Sequence, residues 1–561
     1  MSRIETKERA KKQWAVAQWV AFYFWAIAVI TLALGMLSPQ SKLDGGMAAG
    51  FVGGAGLLMA WRALTTRHQK GAGRLGISGI INCILALATI QGGFIFPILA
   101  VIQTYFLGMK KPSKGGDDVP DDDVKIVRGT RVEDSRNKKK KGGSDLLEIG
   151  GVPIPQDVEA SHFLFAGGPG TGKSVAIDGM LNVIRNRNNQ RQRAIIYDPT
   201  GEFLARYYRQ GDTILNPLDA RCAPWTPWAD AYSVPDFERM AEAMIPENLD
   251  QPFWHQSGRA LLTAILAEAK TVDEMIHLVM ASENEELLEV VKKHGMLGMV
   301  GSMQTFSNSR ASMTAPTTSL RYLRDPKAGQ KAFSIRNWVQ RDEESWLFLT
   351  SRADQQSVLR PLISLFVDLA VMSTMLLPPS RTRRVWFYLD ELASLQKLPA
   401  LQMGMAQGRK YGLSFVLGIQ SIAQLTDLYG RAGGETILGL PQSQLLLRLP
   451  DPDTADWGSR AIGQRHVIRA VESESSNSSG GGSSTNMQHN TEAAVLASQI
   501  QNLPKLQGYL RLPGENVKLV RLAPQDRPDV AKPYIPIPAS EAGKFQPTTT
   551  PPATATLGDD I

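Results

Sequence analysis

The sequence is poor in cysteine, since its 561 residues include only Cys83 and Cys222. These two residues stand far apart, and Cys83 lies within an apolar run, so a disulfide framework is not expected to stabilise the fold. The chain also lacks the signs of a cleavable signal peptide. Its first apolar run is too long for the apolar core of such a peptide, and no convincing small-residue cleavage site follows it.

A strong excess of one charge is also missing. The sequence has 61 Lys and Arg residues against 54 Asp and Glu residues, which gives a formal net charge of +7. This diffuse excess is compatible with nucleic acid or an anionic membrane face as a partner, and it establishes neither. At ~100–200 residues per domain, the length predicts three or four structural units.

Long hydrophobic runs stand near the N terminus. They cover residues 14–37, 46–61 and 75–108. The first run is long enough to span a bilayer, which takes ~20 residues, and Gly92-Gly93 can divide the third run into two. We therefore predict an N-terminal transmembrane helical anchor over residues 1–111.

Basic residues predict the orientation of this anchor. They cluster in residues 2–12, 62–74 and 110–114. Because Lys and Arg beside membrane spans favour the cytoplasmic side, we expect four short spans with both ends in the cytoplasm. Two long spans, three spans or a re-entrant segment are the alternatives. A charged linker, residues 112–145, leads to the globular part of the chain.

A glycine-rich segment in the globular part fits the pattern G-x-x-x-x-G-K-[ST] without a mismatch. Its residues are Gly167, Gly168, Pro169, Gly170, Thr171, Gly172, Lys173 and Ser174. An apolar strand-like run precedes it and an apolar run at helical spacing follows it, which is the context of a phosphate-binding loop. We expect its N–H groups to bind ATP phosphates, Lys173 to reach the β- and γ-phosphates, and Ser174 to hold Mg²⁺. A glycine-rich turn without a ligand is the alternative.

An acidic pair is predicted to complete the ATP site. Asp390 and Glu391 follow the strand-like run at 385–389 (VWFYL), which we expect to neighbour the strand before the glycine loop. Asp390 is predicted to bind Mg²⁺ opposite Ser174, and Glu391 is the candidate general base for the attacking water. An acidic pair that only ends a strand is the alternative.

Further polar residues stand at strand ends. Gln420 follows the run at 415–419 and is a candidate sensor of the γ-phosphate. Arg409 precedes that run and is a candidate arginine finger for a neighbouring subunit, with Arg448 as a second candidate. Asp198 and Glu202 follow another strand-like run and either face the nucleotide or form a turn. A polar strand end, or a surface arginine, is the ordinary alternative for each.

The order of apolar patterns predicts the fold class. Strand-like runs alternate with helical patterns from Leu147 to about Val530, as in a parallel sheet covered by helices. The span 232–330 has helical patterns and no strand runs, which predicts an inserted all-α domain. Residues 472–493 are rich in Ser, Gly and Asn and predict a flexible loop.

The motifs together resemble one family. The segments GGPGTGKS, YDPTGEFL, PFWHQSGR, RRVWFYLDELASLQKLPAL and GRKYGLSFVLGIQSIAQL occur in this order between about 125 and 523. This set resembles the type IV secretion coupling proteins of the TraD and TrwB type. The resemblance implies an α/β fold with a RecA-like P-loop motor domain, an inserted all-α domain and an N-terminal membrane anchor.

The same resemblance implies a domain order. We divide the chain into an anchor (1–111), a linker (112–145), a RecA-like domain in two parts (146–231 and 331–523), an all-α insertion (232–330) and a flexible Pro/Thr-rich tail (524–561). It also implies that Lys173, Glu391, Gln420 and, from the neighbouring subunit, Arg409 take part in catalysis.

Function and partners follow from the resemblance as well. It implies a homo-hexameric, multi-pass protein of the inner membrane with its motor domain in the cytoplasm. Such a motor uses ATP and Mg²⁺ to pass single-stranded DNA with its bound relaxase to the inner-membrane components of a type IV secretion channel. A double-stranded DNA translocase of the chromosome-segregation type and a protein-secretion ATPase are the alternatives. Arg310, Arg321 and Arg324 are candidate contacts of DNA in the central pore.

Overall fold

A computed structural model describes residues 124–136, 145–187, 192–247, 252–300, 303–341, 343–477 and 480–538. The predicted membrane spans and most of the predicted linker lie outside these residues. Within them, one helix, Gln356–Met375, has the length and apolar character needed to cross a membrane, and most of it is buried in the protein core. The predicted anchor therefore stays a prediction.

Within the described residues, ten strands form one sheet. The strands of the protein are β1 Val124–Gly129, β2 Val132–Asp134, β3 Glu148–Ile149, β4 Val152–Pro153, β5 Phe163–Ala166, β6 Arg193–Asp198, β7 Thr213–Leu215, β8 Trp346–Thr350, β9 Val385–Leu389, β10 Leu413–Ile419, β11 Ser443–Leu446, β12 Gln464–Asn477, β13 Gly480–Ala493, β14 Gln507–Arg511 and β15 Val517–Arg521. The order in the large sheet is β2-β15-β14-β11-β5-β10-β9-β6-β8-β7. The strands from β11 to β7 in this order run parallel, which brings their carboxyl ends to one edge.

Helices cover both faces of the sheet. The helices among the described residues are α1 Lys173–Arg185, α2 Glu202–Tyr207, α3 Pro227–Asp230, α4 Val234–Met244, α5 Pro252–Glu268, α6 Val272–Ile276, α7 Asn284–Lys293, α8 Met303–Thr317, α9 Ile335–Gln340, α10 Gln356–Met375, α11 Pro399–Gln407, α12 Ile422–Gly439, α13 Pro452–Ile462 and α14 Ala497–Gln501. This α/β arrangement confirms the fold class expected from the alternating patterns.

The two faces of the sheet have separate apolar cores. In β5, Phe163 and Phe165 pack with the core that contains α1, whereas Leu164 and Ala166 pack with the core that contains α10. Side chains alternate between faces along a strand, and both faces are covered here, so the central strands are apolar along their whole length. This explains why the sequence shows continuous apolar runs rather than alternation.

The described residues between β7 and β8 are mostly helical. The longest helices, α5 and α8, pack against each other, and α4 packs against both α5 and α10. Leu261 and Phe306 in this helical part belong to the same apolar core as Leu349 in β8. The core is therefore continuous from the helices to the sheet, and the limits 232 and 330 stay a prediction.

The segment predicted to be a flexible loop is a β-hairpin. Strands β12 and β13 pair in antiparallel register over 14 residues each, and β1 adds a third strand. The prediction over 472–493 is wrong because it was based on low apolar content. Backbone hydrogen bonds between strands do not require apolar side chains, and buried Val467 ties the base of β12 to the body.

The prediction of a flexible tail is also wrong for its first part, residues 524–538. Val530 and Ala531 donate backbone hydrogen bonds to the Ala205 carbonyl oxygen (2.8 and 3.0 Å), and Ala220 donates one to the Ile535 carbonyl oxygen (2.8 Å). Residues 524–538 therefore lie against the α/β body, in a stretch that we call the tail strap. Its backbone has partners, although its Pro-rich composition is typical of a loose terminus.

Candidate nucleotide-binding site

The glycine-rich loop connects β5 to α1 at the carboxyl edge of the sheet. Gly170 and Gly172 have φ angles of +66° and +121°, which side chains with a Cβ atom disfavour. The Thr171 hydroxyl donates a hydrogen bond to the Gly168 carbonyl oxygen (2.8 Å), and the Gly168 N–H donates to the Arg448 carbonyl oxygen (2.9 Å). These contacts hold the loop in a fixed curve at the start of α1.

The acidic pair reaches the same edge, although not on the adjacent strand. The strand before Asp390, β9, is separated from β5 by β10. The expectation that β9 neighbours β5 is therefore wrong, and the intervening strand is the one that Gln420 follows. Three strand ends thus bring the glycine loop, Gln420 and the acidic pair together.

Two side-chain contacts join these parts. The Ser174 hydroxyl donates a hydrogen bond to Asp390 Oδ2 (2.9 Å), across 216 positions of the sequence. The Gln420 amide Nε2 donates a hydrogen bond to Glu391 Oε2. The sequence analysis named all four residues, and the fold places them in two contacting pairs.

A close backbone approach sets the spacing of β9 and β10. A Cβ atom on Gly418 would lie 1.8 Å from the Asp390 carbonyl oxygen, so a side chain at this position requires the strand ends to separate. Glycine at 418 therefore allows Asp390 to lie beside β10 and to reach Ser174.

Burial sets the charge state of the site. It lowers the pKa of the Lys173 ammonium group, while Glu391 and Asp390 raise that pKa in opposition. Burial also raises the pKa of Asp390 and of Glu391, and the nearby Lys173 charge lowers both. The Lys173 Nζ donates a hydrogen bond to the Gly167 carbonyl oxygen (2.5 Å). One buried lysine thus faces two buried carboxyl groups, which favours binding of an anion together with a cation.

The residues fit a phosphate chain and a divalent cation. Among the described residues, the buried oxygens Asp390 Oδ1 and Glu391 Oε1 have no hydrogen-bond partner, and buried polar atoms usually have one. No described side chain caps α1, so the N–H groups of its first turn point at the loop with their positive dipole end. Hydroxyl and carboxylate oxygens are ligands that Mg²⁺ prefers.

The two arginine candidates lie in different places. Arg409 is exposed in a short 3₁₀ turn, Gly408–Tyr411, before the amino end of β10. The seven residues of β10 separate it from the carboxyl edge by about 20 Å, at ~3.3 Å per residue. Arg448 follows β11, and its backbone touches the glycine loop of the same chain. Arg409 therefore cannot reach its own glycine loop, whereas Arg448 lies beside it.

Asp198 has a structural role in this arrangement. Its carboxylate accepts hydrogen bonds from the N–H groups of Glu202 (3.2 Å) and Leu204 (2.9 Å), and burial raises its pKa to about 6. It thus holds the start of α2, as the turn interpretation expected. Arg310 is likewise bound within the helical part, to Asn284 Oδ1 (2.8 Å) and the Ser282 carbonyl oxygen (2.6 Å).

A series of hydrogen-bonded polar side chains beside Glu391 was not predicted. The Ser394 hydroxyl donates to the Glu391 carbonyl oxygen (2.7 Å) and contacts the Tyr197 hydroxyl (2.8 Å), to which Gln356 Nε2 donates (3.2 Å). Arg360 on α10 lines the adjoining cavity with Glu391 and Gln420. The only signal in the sequence is the polar tip of Tyr197 at a strand end, because the partners are 159 and 197 positions away.

A glycine loop and an acidic pair at the carboxyl edge of a parallel sheet define a P-loop nucleotide-binding protein. The family model of the type IV secretion-system coupling protein DNA-binding domain matches residues 146–523. The chain therefore belongs to the type IV secretion coupling proteins, which confirms the resemblance inferred from its motifs.

Individual relatives agree with this assignment. The coupling protein TraD of Escherichia coli K12 is 34% identical over 423 residues, which cover 72% of this chain and 58% of TraD. VirD4 of Bartonella quintana is 24% identical over 285 residues, covering 45% of this chain and 43% of VirD4. The matches thus span less than two thirds of these relatives.

Solved structures of the plasmid coupling protein TrwB have the same fold. An unbound form that lacks its N-terminal part is 29% identical, with a TM-score of 0.65, and the match covers 73% of this chain and 97% of that one. TrwB in complex with ADP and Mg²⁺ is 28% identical, with a TM-score of 0.65, and the match covers 73% of this chain and 96% of that one.

Proposed function

We propose that this protein is a membrane-anchored ATP hydrolase that drives single-stranded DNA into a type IV secretion channel. The observation that carries the proposal is the hydrogen bond between Ser174 and Asp390, which joins the glycine loop to the acidic pair. TrwB with bound ADP and Mg²⁺ supports the choice of nucleotide and cation. The DNA-binding description of the family supports the choice of substrate.

The chain's own residues have distinct tasks in hydrolysis. The N–H groups of the loop and Lys173 bind the phosphates, and burial excludes water from around this charge. Ser174 and Asp390 would hold Mg²⁺, which would neutralise phosphate charge when bound. Glu391, with its raised pKa, accepts a proton from the attacking water, and Gln420 orients its carboxylate through the hydrogen bond to Oε2.

Membership of the family supports our proposal for the assembly and the partners. The motor is a homo-hexamer in which Arg409 of one subunit contacts the phosphates held by the next subunit. The anchor, residues 1–111, holds the hexamer in the inner membrane beside the components of the secretion channel. The relaxase enters with the single-stranded DNA to which it is bound. The helical part between β7 and β8 is the inserted domain that faces the cytoplasm.

ATP turnover by the full-length chain in nanodiscs tests the proposal. It is measured without DNA, with single-stranded DNA and with double-stranded DNA, for wild type and Lys173→Ala. We expect single-stranded DNA to stimulate wild-type turnover and the Lys173→Ala variant to lose it, because the buried ammonium group is absent. Equal turnover with and without DNA would favour a protein-secretion ATPase. Preference for double-stranded DNA would favour a translocase, and no turnover would overturn the enzyme assignment.

A further inference from the structure

A cluster of cations surrounds a cavity at the amino edge of the sheet, opposite the candidate ATP site. The cavity has a volume of about 920 Å³. Its charged lining residues are Arg381, Arg384, Arg409, Lys410 and Asp157. We call these four basic residues the amino-edge cluster. Four cations around one carboxylate leave an excess of positive charge that a bound anion would compensate.

Arg384 is held rigidly in this cluster. Its guanidinium donates hydrogen bonds to the carbonyl oxygens of Arg383 (2.8 Å), Arg381 (3.0 Å) and Gln156 (3.3 Å). Its Nε is buried and has no partner among the described residues. Carbonyl oxygens are neutral, so these contacts fix the position of the guanidinium without neutralising its charge.

A second carboxylate near Arg384, that of Glu159, is engaged by another arginine. Glu159 accepts a bidentate contact from Arg187, in which both side chains are almost fully buried. Burial and the positive charges of Arg187 and Arg409 lower the pKa of Arg384, although Glu159 raises it. The arrangement therefore keeps like charges close together, which is unfavourable unless an anion binds between them.

We propose that Arg384 is a second residue, beside Arg409, that contacts the terminal phosphates of the nucleotide held by the neighbouring subunit. This inference rests on the proposed function of the hexamer. Arg384 precedes β9, so the length of that strand separates it from Asp390 and from the glycine loop of its own chain. Phosphates held by the glycine loop can therefore reach Arg384 only from a neighbouring subunit.

The geometry favours a compact polyphosphate over a nucleic-acid backbone. The cations converge on one cavity, and the Arg384 fork is fixed by three carbonyl oxygens. Both N–H groups of Nη1 and one of Nη2 already donate to these carbonyl oxygens, so the remaining N–H of Nη2 has a fixed direction from which to donate to a phosphate oxygen. Binding of a nucleic-acid backbone uses cations spread along a groove, and it is an alternative outcome of the test.

Mixing two inactive full-length proteins tests the inference. One protein is Arg384→Gln, which keeps its glycine loop, and the other is Lys173→Ala, which keeps its amino-edge cluster. We expect Arg384→Gln alone to lose turnover on the order of 100-fold. An equimolar mixture should recover about one quarter of wild-type turnover, since one ring interface in four then joins an intact loop to an intact Arg384.

Three other results would overturn the inference. A mixture no more active than its two components would show that Arg384 acts only within its own chain. Loss of DNA stimulation with unchanged DNA-free turnover would show a nucleic-acid contact. Wild type without turnover would overturn the proposed function itself, and it is seen before any variant is mixed.

Nucleotide-triggered assembly gives a readout that is independent of hydrolysis. Sedimentation of the full-length chain in detergent is followed with a non-hydrolysable ATP analogue. We expect Arg384→Gln to need at least about fivefold more protein for half-assembly, Arg384→Lys to recover part of this loss, and Arg431→Gln to match wild type. Arg431 is the control because its side chain is 88% exposed and its ion pair among the described residues is with Glu435. Assembly of Arg384→Gln at the wild-type concentration would contradict the inference.

Discussion

The two edges of the parallel sheet differ in charge. The carboxyl edge has the buried carboxyl groups of Asp390 and Glu391 facing one lysine, Lys173. The amino edge has the amino-edge cluster around a single carboxylate, Asp157. Because strands of five to seven residues separate the edges, these charges cannot meet within one subunit. In a head-to-tail ring, where each interface joins unlike surfaces, they can.

The largest effect is expected from removing the charge of Glu391. The Glu391→Gln substitution keeps the shape and an oxygen that can accept the Gln420 hydrogen bond, and it removes the proton acceptor. We expect turnover to fall by about 100-fold or more, while binding of a fluorescent ATP analogue stays near wild type. Glu202→Gln is the control at the same edge, because Glu202 is half-exposed and pairs with Arg206. An equal loss of turnover in both variants would show that Glu391 has no special role in hydrolysis.

A methyl group at position 418 should disturb the carboxyl edge alone. In Gly418→Ala the new Cβ would lie 1.8 Å from the Asp390 carbonyl oxygen, and the strands must move apart. We expect destabilisation of about 2–3 kcal/mol and lower turnover, measured by calorimetry and ATPase assay. Gly179→Ala in α1 meets no atom within 4 Å and should stabilise the helix by about 0.5–1 kcal/mol. An unchanged stability of Gly418→Ala would contradict the close approach of Gly418 to the Asp390 carbonyl oxygen.

Release of the tail strap should leave the residues of the candidate ATP site in place. Arg527 contacts the buried Asp178 carboxylate and the Tyr207 hydroxyl. Arg527→Ala leaves Asp178 with Arg206 at 3.3 Å, so we expect a loss of about 1–2 kcal/mol. Limited proteolysis should then cut within 524–538 while turnover changes little. Unchanged protection of this segment would show that the backbone contacts alone hold the strap.

The smallest effect is expected on the pH dependence of stability, from the carboxyl group of Asp368, which is buried between the two edges of the sheet. Burial raises the pKa of Asp368 to about 7, against the hydrogen bond from the Ala400 N–H, which lowers it. The folded protein therefore retains a proton that the unfolded chain loses near pH 4, so Asp368 makes the free energy of unfolding fall between about pH 4 and pH 7.

The Asp368→Asn variant removes this titration and keeps an oxygen for Ala400. We expect its Tm relative to wild type to be higher at pH 8 than at pH 5, by a few degrees. Asp198, with a pKa of about 6, has the same sign of effect and is present in both proteins. A Tm difference that is independent of pH would show that the pKa of Asp368 is not raised in the folded protein, so that its carboxyl group is ionised in both the folded and the unfolded state.

Local sequence patterns predicted the separate parts of the site, but they did not predict which parts lie next to each other. The glycine loop and the acidic pair could be proposed as parts of one site because each is a short motif beside an apolar run, and the structure places them in contact. The order of strands was wrong, since nothing local shows that β10 lies between β5 and β9. The hairpin and the tail strap were missed because composition reports apolar content, whereas backbone hydrogen bonds hold both segments.

Local periodicity and motifs of a few residues were sufficient to predict the α/β class, the family and the candidate residues of the nucleotide site. The tertiary structure decided which residues meet. It joined Ser174 to Asp390 and Gln420 to Glu391, and it separated Arg409 and Arg384 from them by the length of a strand. The physical reason is that sheet order and register depend on contacts between residues hundreds of positions apart, to which no local pattern corresponds.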